Sequence, residues 1–240
     1  MSSKKLITLF LILISTLKFS AQGTHLLGFD DKKFHFGFAL SYNQSDFYIQ
    51  KSVGFNFNDD SLQSLVVNPN PGFSLGVVSS INFNPNFKLR FAIPTLSFQE
   101  RDLVYTYLDV NNDTSFVWSK KIEPTYLDFP MLIKFRTDRI DNWAMYGITG
   151  LRFGLDMSSQ KDVNNTSSNL ADQIIKLKKP DFGMEIGGGF DFFLEYFKFG
   201  IELKLGVGMM NVHLNEGTQF DTPIGSLRSK VWTLSLTFEG

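Results

Sequence analysis

The segment FKFGIELKLGVGM, Phe197–Met209, decides the fold. Phe197, Phe199, Ile201, Leu203, Leu205, Val207 and Met209 share one parity, and Lys198, Gly200, Glu202, Lys204, Gly206 and Gly208 share the other. Side chains along a strand point alternately to its two faces, so every large apolar group lies on one face and every charge on the other, whereas a helix would scatter both sets. In a soluble barrel such a strand would show its apolar face to water or bury its charges in a dry core. Lipid on one side and a polar interior on the other removes both penalties, so the segment predicts a strand of a transmembrane β-barrel.

The same parity recurs along the chain. Phe34, Phe36, Phe38 and Leu40 alternate with His35, Gly37, Ala39 and Ser41, and Phe73, Leu75, Val77, Ile81 and Phe83 with Ser74, Gly76, Ser80 and Asn82. Phe87, Leu89, Phe91 and Ile93 alternate with Lys88, Arg90 and Ala92, until Leu96 and Phe98 take the apolar phase beyond Pro94. Proline lacks the ladder donor, so the slip predicts a bulge there. Leu127, Phe129, Met131, Ile133 and Phe135 oppose Asp128, Lys134 and Arg136; Met145, Leu151, Phe153 and Leu155 oppose Tyr146, Arg152 and Asp156. Phe182, Met184, Ile186, Phe190 and Phe192 oppose Glu185, Gly187, Gly189 and Asp191, and Trp232, Leu234, Leu236 and Phe238 oppose Thr233, Ser235 and Thr237. The expectation is an all-β fold: an eight-stranded antiparallel up-and-down transmembrane β-barrel of outer-membrane type, over residues 33–240.

The links alternate in length. Asn84–Asn86, Thr137–Asn142 and Leu194–Tyr196 are short turns, while Tyr42–Asn70, Gln99–Lys121, Ser158–Pro180 and Asn211–Lys230 are long and polar. Outer-membrane barrels have short periplasmic turns and longer external loops, so both termini are expected on the periplasmic side. Ahead of the barrel, Lys4 and Lys5 precede the apolar run Leu6–Leu17, and Ser20 and Ala21 follow it. That run is short of the roughly 20 residues of a spanning helix and predicts a cleavable signal peptide over residues 1–21, leaving 22–32 as a short periplasmic segment.

The chain contains 26 Phe and no Cys, which leaves neither a disulfide nor a lipid-attachment thiol. Removing residues 1–21 takes away three of its 23 basic residues and none of its 24 acidic ones, for a net charge near −4. Mild acidity gives no support to a nucleic-acid partner.

Four stretches are familiar: KFHFGFALSYN (Lys33–Asn43), FKLRFAIPTLSFQER (Phe87–Arg101), KIEPTYLDFPMLIKFRTDRIDN (Lys121–Asn142), and DFGMEIGGGFDFF followed by FKFGIELKLGVGMMN (Asp181–Asn211). They resemble the PorT family of Bacteroidetes outer-membrane barrels, over roughly residues 29–240. The resemblance implies an accessory part in type IX protein secretion, and in gliding where it occurs, with other type IX secretion components as partners beside outer-membrane lipid. It implies no catalytic residue. The alternative from a different class is a structural, adhesive or ligand-binding barrel with no secretion role.

Arg90, Lys134, Arg136, Arg152, Glu185, Asp191, Lys198, Glu202 and Lys204 all fall on the interior phase. They are expected to form a structural salt-bridge network in a narrow lumen, too tight to conduct folded cargo. Phe47, Tyr48, Ile49, Phe55 and Phe57, in the longest link, are the candidate partner-contact residues. Asp109, Asn111 and Asp113 imitate the start of a calcium loop, but Thr114 replaces its glycine and Lys120 its bidentate glutamate. Gly187-Gly188-Gly189 lies within a strand with no helix after it, unlike a phosphate loop. His25, His35 and His213 lack ligand spacing. No enzyme activity, cofactor or metal is expected.

Overall fold

Strand backbones in lipid can satisfy their N–H and C=O groups only by pairing around a ring. The computed structural model describes residues 25–53, 62–109, 114–161, 163, 165 and 169–240. The expected signal peptide, residues 1–21, lies outside the described residues, as do Phe55 and Phe57.

Twelve strands occur among the described residues: β1 (Phe34–Lys51), β2 (Leu62–Asn82), β3 (Phe87–Phe98), β4 (Arg101–Asp109), β5 (Thr114–Ile122), β6 (Thr125–Arg136), β7 (Trp143–Asp156), β8 (Lys176–Leu177), β9 (Pro180–Phe193), β10 (Lys198–Gly208), β11 (His213–Leu214) and β12 (Ile224–Glu239). Ten form one antiparallel sheet in the order β1-β12-β10-β9-β7-β6-β3-β2-β4-β5, and β1 also pairs with β2. That extra pairing brings the sheet back onto itself, with β4 and β5 left off the ring. β8 and β11 make a separate ribbon.

This corrects the expected eight-stranded up-and-down barrel. The main sheet has ten strands and branches, and its ring is imperfect: the register slips between Leu75 and Val77 on β2 and between Phe91 and Thr95 on β3, around Pro94. β2 is 21 residues long. Its Asn70–Ile81 part pairs with β1, while Leu62–Pro69 continues beyond and pairs with β4, from Leu62↔Tyr107 to Pro69↔Arg101. β5 completes that branch against β4. Two of the segments that read as long polar loops, Tyr42–Asn70 and Gln99–Lys121, are therefore largely strand. They escape the lipid-facing parity rule because their outward side chains, such as Thr106, Ser119 and Lys121, meet water.

Within the ring the polarity is inside out. Ile186 of β9 is 63% exposed and Phe36 of β1 57%, whereas Lys88, Lys134 and Lys198 are each 1% exposed. The apolar parity faces outward on every ring strand and the charged parity inward, the distribution that lipid imposes. Above the ring the inner face changes character. On β1 it passes from Asn43 and Ser45 to Phe47, on β12 from Ser235 and Ser229 to Leu227, and across β3 and β4 from Ser97, Gln99 and Arg101 to Leu103, Tyr105 and Tyr107. These apolar groups meet Leu62, Ile122, Ile175, Leu177, Val212, Phe220 and Ile224 in one buried core. That core is of the ordinary water-excluding kind and lies over the mouth at the long-link end. The short turns and the carboxyl end lie at the opposite rim, where the Gly240 amide donates to the Phe36 carbonyl at 3.0 Å.

Candidate functional site

The interior is built in three tiers. At the short-turn rim, residues 25–33 cross the mouth without joining the sheet. Gly28 (φ +86°) and Leu26 (φ +50°) turn the chain so that Phe29 points inward. Phe29 stacks on His35 with ring centroids 3.8 Å apart and meets Phe193 edge-on at 6.0 Å. Beside it the Asp30 carboxylate accepts from Lys88 Nζ at 2.8 Å, from Arg136 at 3.0 and 2.9 Å, and pairs with Arg139 at 2.8 Å. Burial alone would raise the Asp30 carboxyl, but the hydrogen bonds and charges of Arg136 and Lys88 outweigh it and hold the group well below the usual carboxylate range.

The middle tier is a belt of ion pairs across the ring. Arg90 bridges Glu202 at 2.7 Å and Glu239 at 3.0 Å, and Lys198 reaches Glu239 at 2.9 Å. Lys134 donates to both Asp191 oxygens, at 2.8 and 2.7 Å, with its ammonium 3.4 Å from the centroid of the Tyr146 ring. The Tyr146 hydroxyl donates to Glu202 at 2.9 Å. Gly189 makes this possible: a Cβ there would stand 2.8 Å from the Tyr146 ring and 2.2 Å from the Ile201 carbonyl. Gly189 is thus a seat for an interior ring.

Higher up, Lys204 pairs with Glu185 at 3.1 Å, and Arg152 joins Asp128 at 2.7 Å to Asp181 at 2.5 Å. A cavity of about 60 Å³ remains beside them, lined by Ser41, Ser74, Thr95, Ser97 and Gln99. It has room for a few waters and for no larger solute. Over it Arg101, fully buried, lies 4.1 Å from the Phe47 ring centroid and donates to Gln99 and to the Asp46 carbonyl. The apolar cap follows directly, where the Tyr105 hydroxyl donates to the Phe220 carbonyl at 2.8 Å. Burial pushes that hydroxyl's pKa up and keeps it a donor.

All nine interior charges singled out from the sequence lie in these tiers: Arg136 at the rim; Arg90, Lys134, Asp191, Lys198 and Glu202 in the belt; Arg152, Glu185 and Lys204 above it. Several partners were missed. Lys88 and Asp128 carry the interior parity named for their strands but were not counted in the network, and Glu239 carries it too. Asp181 lies at a strand start, and Asp30 belongs to a segment with no periodicity. Of the candidate contact residues, Phe47 is buried in the cap and Ile49 packs against it, while Tyr48 faces outward, 66% exposed.

The remaining candidates separate. His35 lies under Phe29, His25 is at the rim, and His213 Nε2 is 3.0 Å from Asp221 in the cap. Asn111 and Asp113 of the calcium-like stretch lie outside the described residues. Among the described residues no group of three or more His, Asp or Glu could hold a metal ion.

No curated protein matches the chain. Among solved structures it is similar to the outer membrane protein OprG of Pseudomonas aeruginosa, with 14% identity and a TM-score of 0.45 over 91% of this chain and 97% of that one. It is also similar to Neisserial surface protein A, at 9% identity and a TM-score of 0.43 over 85% and 95% of the two chains. A third is the attachment invasion locus protein Ail of Yersinia pestis, at 12% identity and a TM-score of 0.37 over 87% and 100%. Likeness of this degree says nothing of ligands. Residues 20–214, most of the chain, match the family model described as an outer membrane protein beta-barrel domain. With its apolar wall, charged interior and ring of antiparallel strands, the chain belongs to that family and is a protein of the outer membrane.

Proposed function

We propose that this protein is a sealed outer-membrane barrel whose role lies in its external cap: a structural, adhesive or ligand-binding surface, and no conduit. The single observation that carries this reading is the buried core formed over the mouth by Phe47, Leu103, Tyr105, Val212, Phe220 and Leu227, drawn from every long link or its flanking strand except Ser158–Pro180, which adds Ile175 and Leu177. A chain that only needed to float in lipid would not require a second, water-excluding core outside it. Tyr48, Val66 and Val117 are exposed on the cap's outer side and offer apolar contact area to a partner. The interior charges act as a structural filler that holds the wall strands together, and residues 1–21 act as a cleaved signal peptide. The test is adhesion and ligand capture by cells expressing the full chain or lacking it. Unchanged surface binding in the deletion strain would remove the adhesive reading.

A second reading has its own support. Lys121–Asn142 and the other quoted stretches resemble the PorT family, which favours an accessory role in type IX secretion with other secretion components as partners. It expects cargo to accumulate inside deletion cells; normal export would exclude it. A sealed interior suits that reading too, since it leaves assembly or docking as the contribution.

A further inference from the structure

Three cations of the barrel wall and turn converge at the short-turn mouth: Lys88 of β3, Arg136 at the end of β6 and Arg139 just after it. Among the described residues, Asp30 is the ion-pair partner of all three. The wall supplies the positive charge, and among the described residues the carboxylate that pairs with all three cations comes from a segment outside the sheet. We infer that this mouth is a built carboxylate socket, and that residues 25–33 are a displaceable plug seated in it through Asp30.

Other features bear on the same conclusion. The segment makes no ladder with any strand, so side chains and a few rim contacts hold it in place: Asn82 Nδ2 donates to the Lys32 carbonyl at 2.9 Å, and Arg139 donates to the His25 carbonyl at 3.2 Å. Its turn includes Leu26 at φ +50°, a conformation that an L residue with a branched side chain holds only where its surroundings impose it. Phe29 is 4% exposed and wedged between His35 and Phe193, while Lys198 Nζ lies 4.9 Å from its ring centroid. Removing the carboxylate leaves three cations facing one another, and like-charge repulsion then favours leaving the seat. The socket's chemistry is that of bidentate guanidinium recognition, since Arg136 meets both oxygens of the Asp30 carboxylate that fills it. This holds whatever the external cap binds.

The chain has no Cys, so one introduced thiol is a unique reporter. Ser80 lies on the inner face just inside the plug, 2% exposed, and Tyr48 lies on the outer side of the cap. Full-length S80C and Y48C proteins in detergent micelles would be labelled with a bulky charged maleimide. With Asp30 present, S80C should react far more slowly than Y48C. D30N should speed S80C labelling by about tenfold or more, as when charge-assisted bonds that restrain a local opening are lost, and should leave Y48C unchanged. D30E should stay slow. R136Q, which damages the socket from the wall side, should also speed S80C labelling, and it decides the matter if D30N does not assemble. An S80C rate unchanged by R136Q and D30N, or an equal rise at Y48C, would overturn the plug.

Discussion

Replacing Asp191 by Asn tests whether the belt is a dry ion-pair network or a wet passage. Asp191 is 0% and Lys134 1% exposed, and the pair makes two contacts of 2.7 and 2.8 Å. Asn is nearly isosteric, so D191N opens no cavity and isolates the electrostatic effect. Breaking a buried pair by removing one partner costs about 3–5 kcal/mol, because the surviving charge is left uncompensated. The Tyr146 face, 3.4 Å from the ammonium, returns up to about 2 kcal/mol of that. Lys198, 4.0 Å from Asp191, keeps its closer partner Glu239. The net loss should therefore be about 2–4 kcal/mol, against about 0.2–1 for a solvated pair. The assay is reversible urea unfolding in lipid vesicles, followed by tryptophan fluorescence and heat-dependent gel mobility. Trp143 packs against Phe190 beside this site and reports it directly. The double variant K134M/D191N removes both charges and should recover most of the loss. A D191N loss below about 1 kcal/mol would refute the reasoning, since water would then be compensating the orphaned ammonium.

Other outcomes follow from the same structure. The protein should be silent in planar bilayers, because plug, belt and cap each block the axis; reproducible conductance would contradict the sealed interior. L203R places a cation on the lipid face of β10 and should cost about 2–4 kcal/mol near mid-membrane, measured as reduced heat-modifiable protein, with little loss refuting the orientation of that face. L103A should destabilise the cap by about 2–5 kcal/mol and expose it to protease on intact cells while the ring keeps its gel-mobility shift; loss of both together would show that cap and ring are one cooperative unit. Asp30's folded pKa lies below its ordinary 3.8, so its contribution is present above that value and is lost as pH falls through the folded one. S80C labelling normalised to Y48C should then stay flat from pH 8 to about 5, and a rise within that window would contradict the assignment.

Parity alone separated the lipid face from the interior, because a strand turns every second side chain the same way wherever it sits. It named Arg90, Lys134, Glu202 and their companions as interior groups, and it located the irregularity at Pro94, where the ladder loses a donor. It failed where the environment changes. β4 and β5 rise above the lipid, so Leu103, Tyr105 and Tyr107 turn inward and polar groups turn outward, which reverses the contrast that marked the other strands. The stretch then resembled a solvated loop, and the strand count came out too simple.

By itself the amino-acid sequence determined which side of each wall strand meets lipid, and hence the compartment, since that pattern is a property of neighbouring residues and needs no partner. Only the tertiary structure decided who pairs with whom. Arg90 and Glu202 lie 112 residues apart and meet because strand pairing around the ring sets their height and azimuth. Asp30 enters the mouth from a segment with no period at all, and four separate external stretches become one core only when the ring gathers their ends. Charge and parity are written locally, whereas the gathering of side chains at both mouths arises from the long-range pairing of the ring and the lengths of strand that run beyond it.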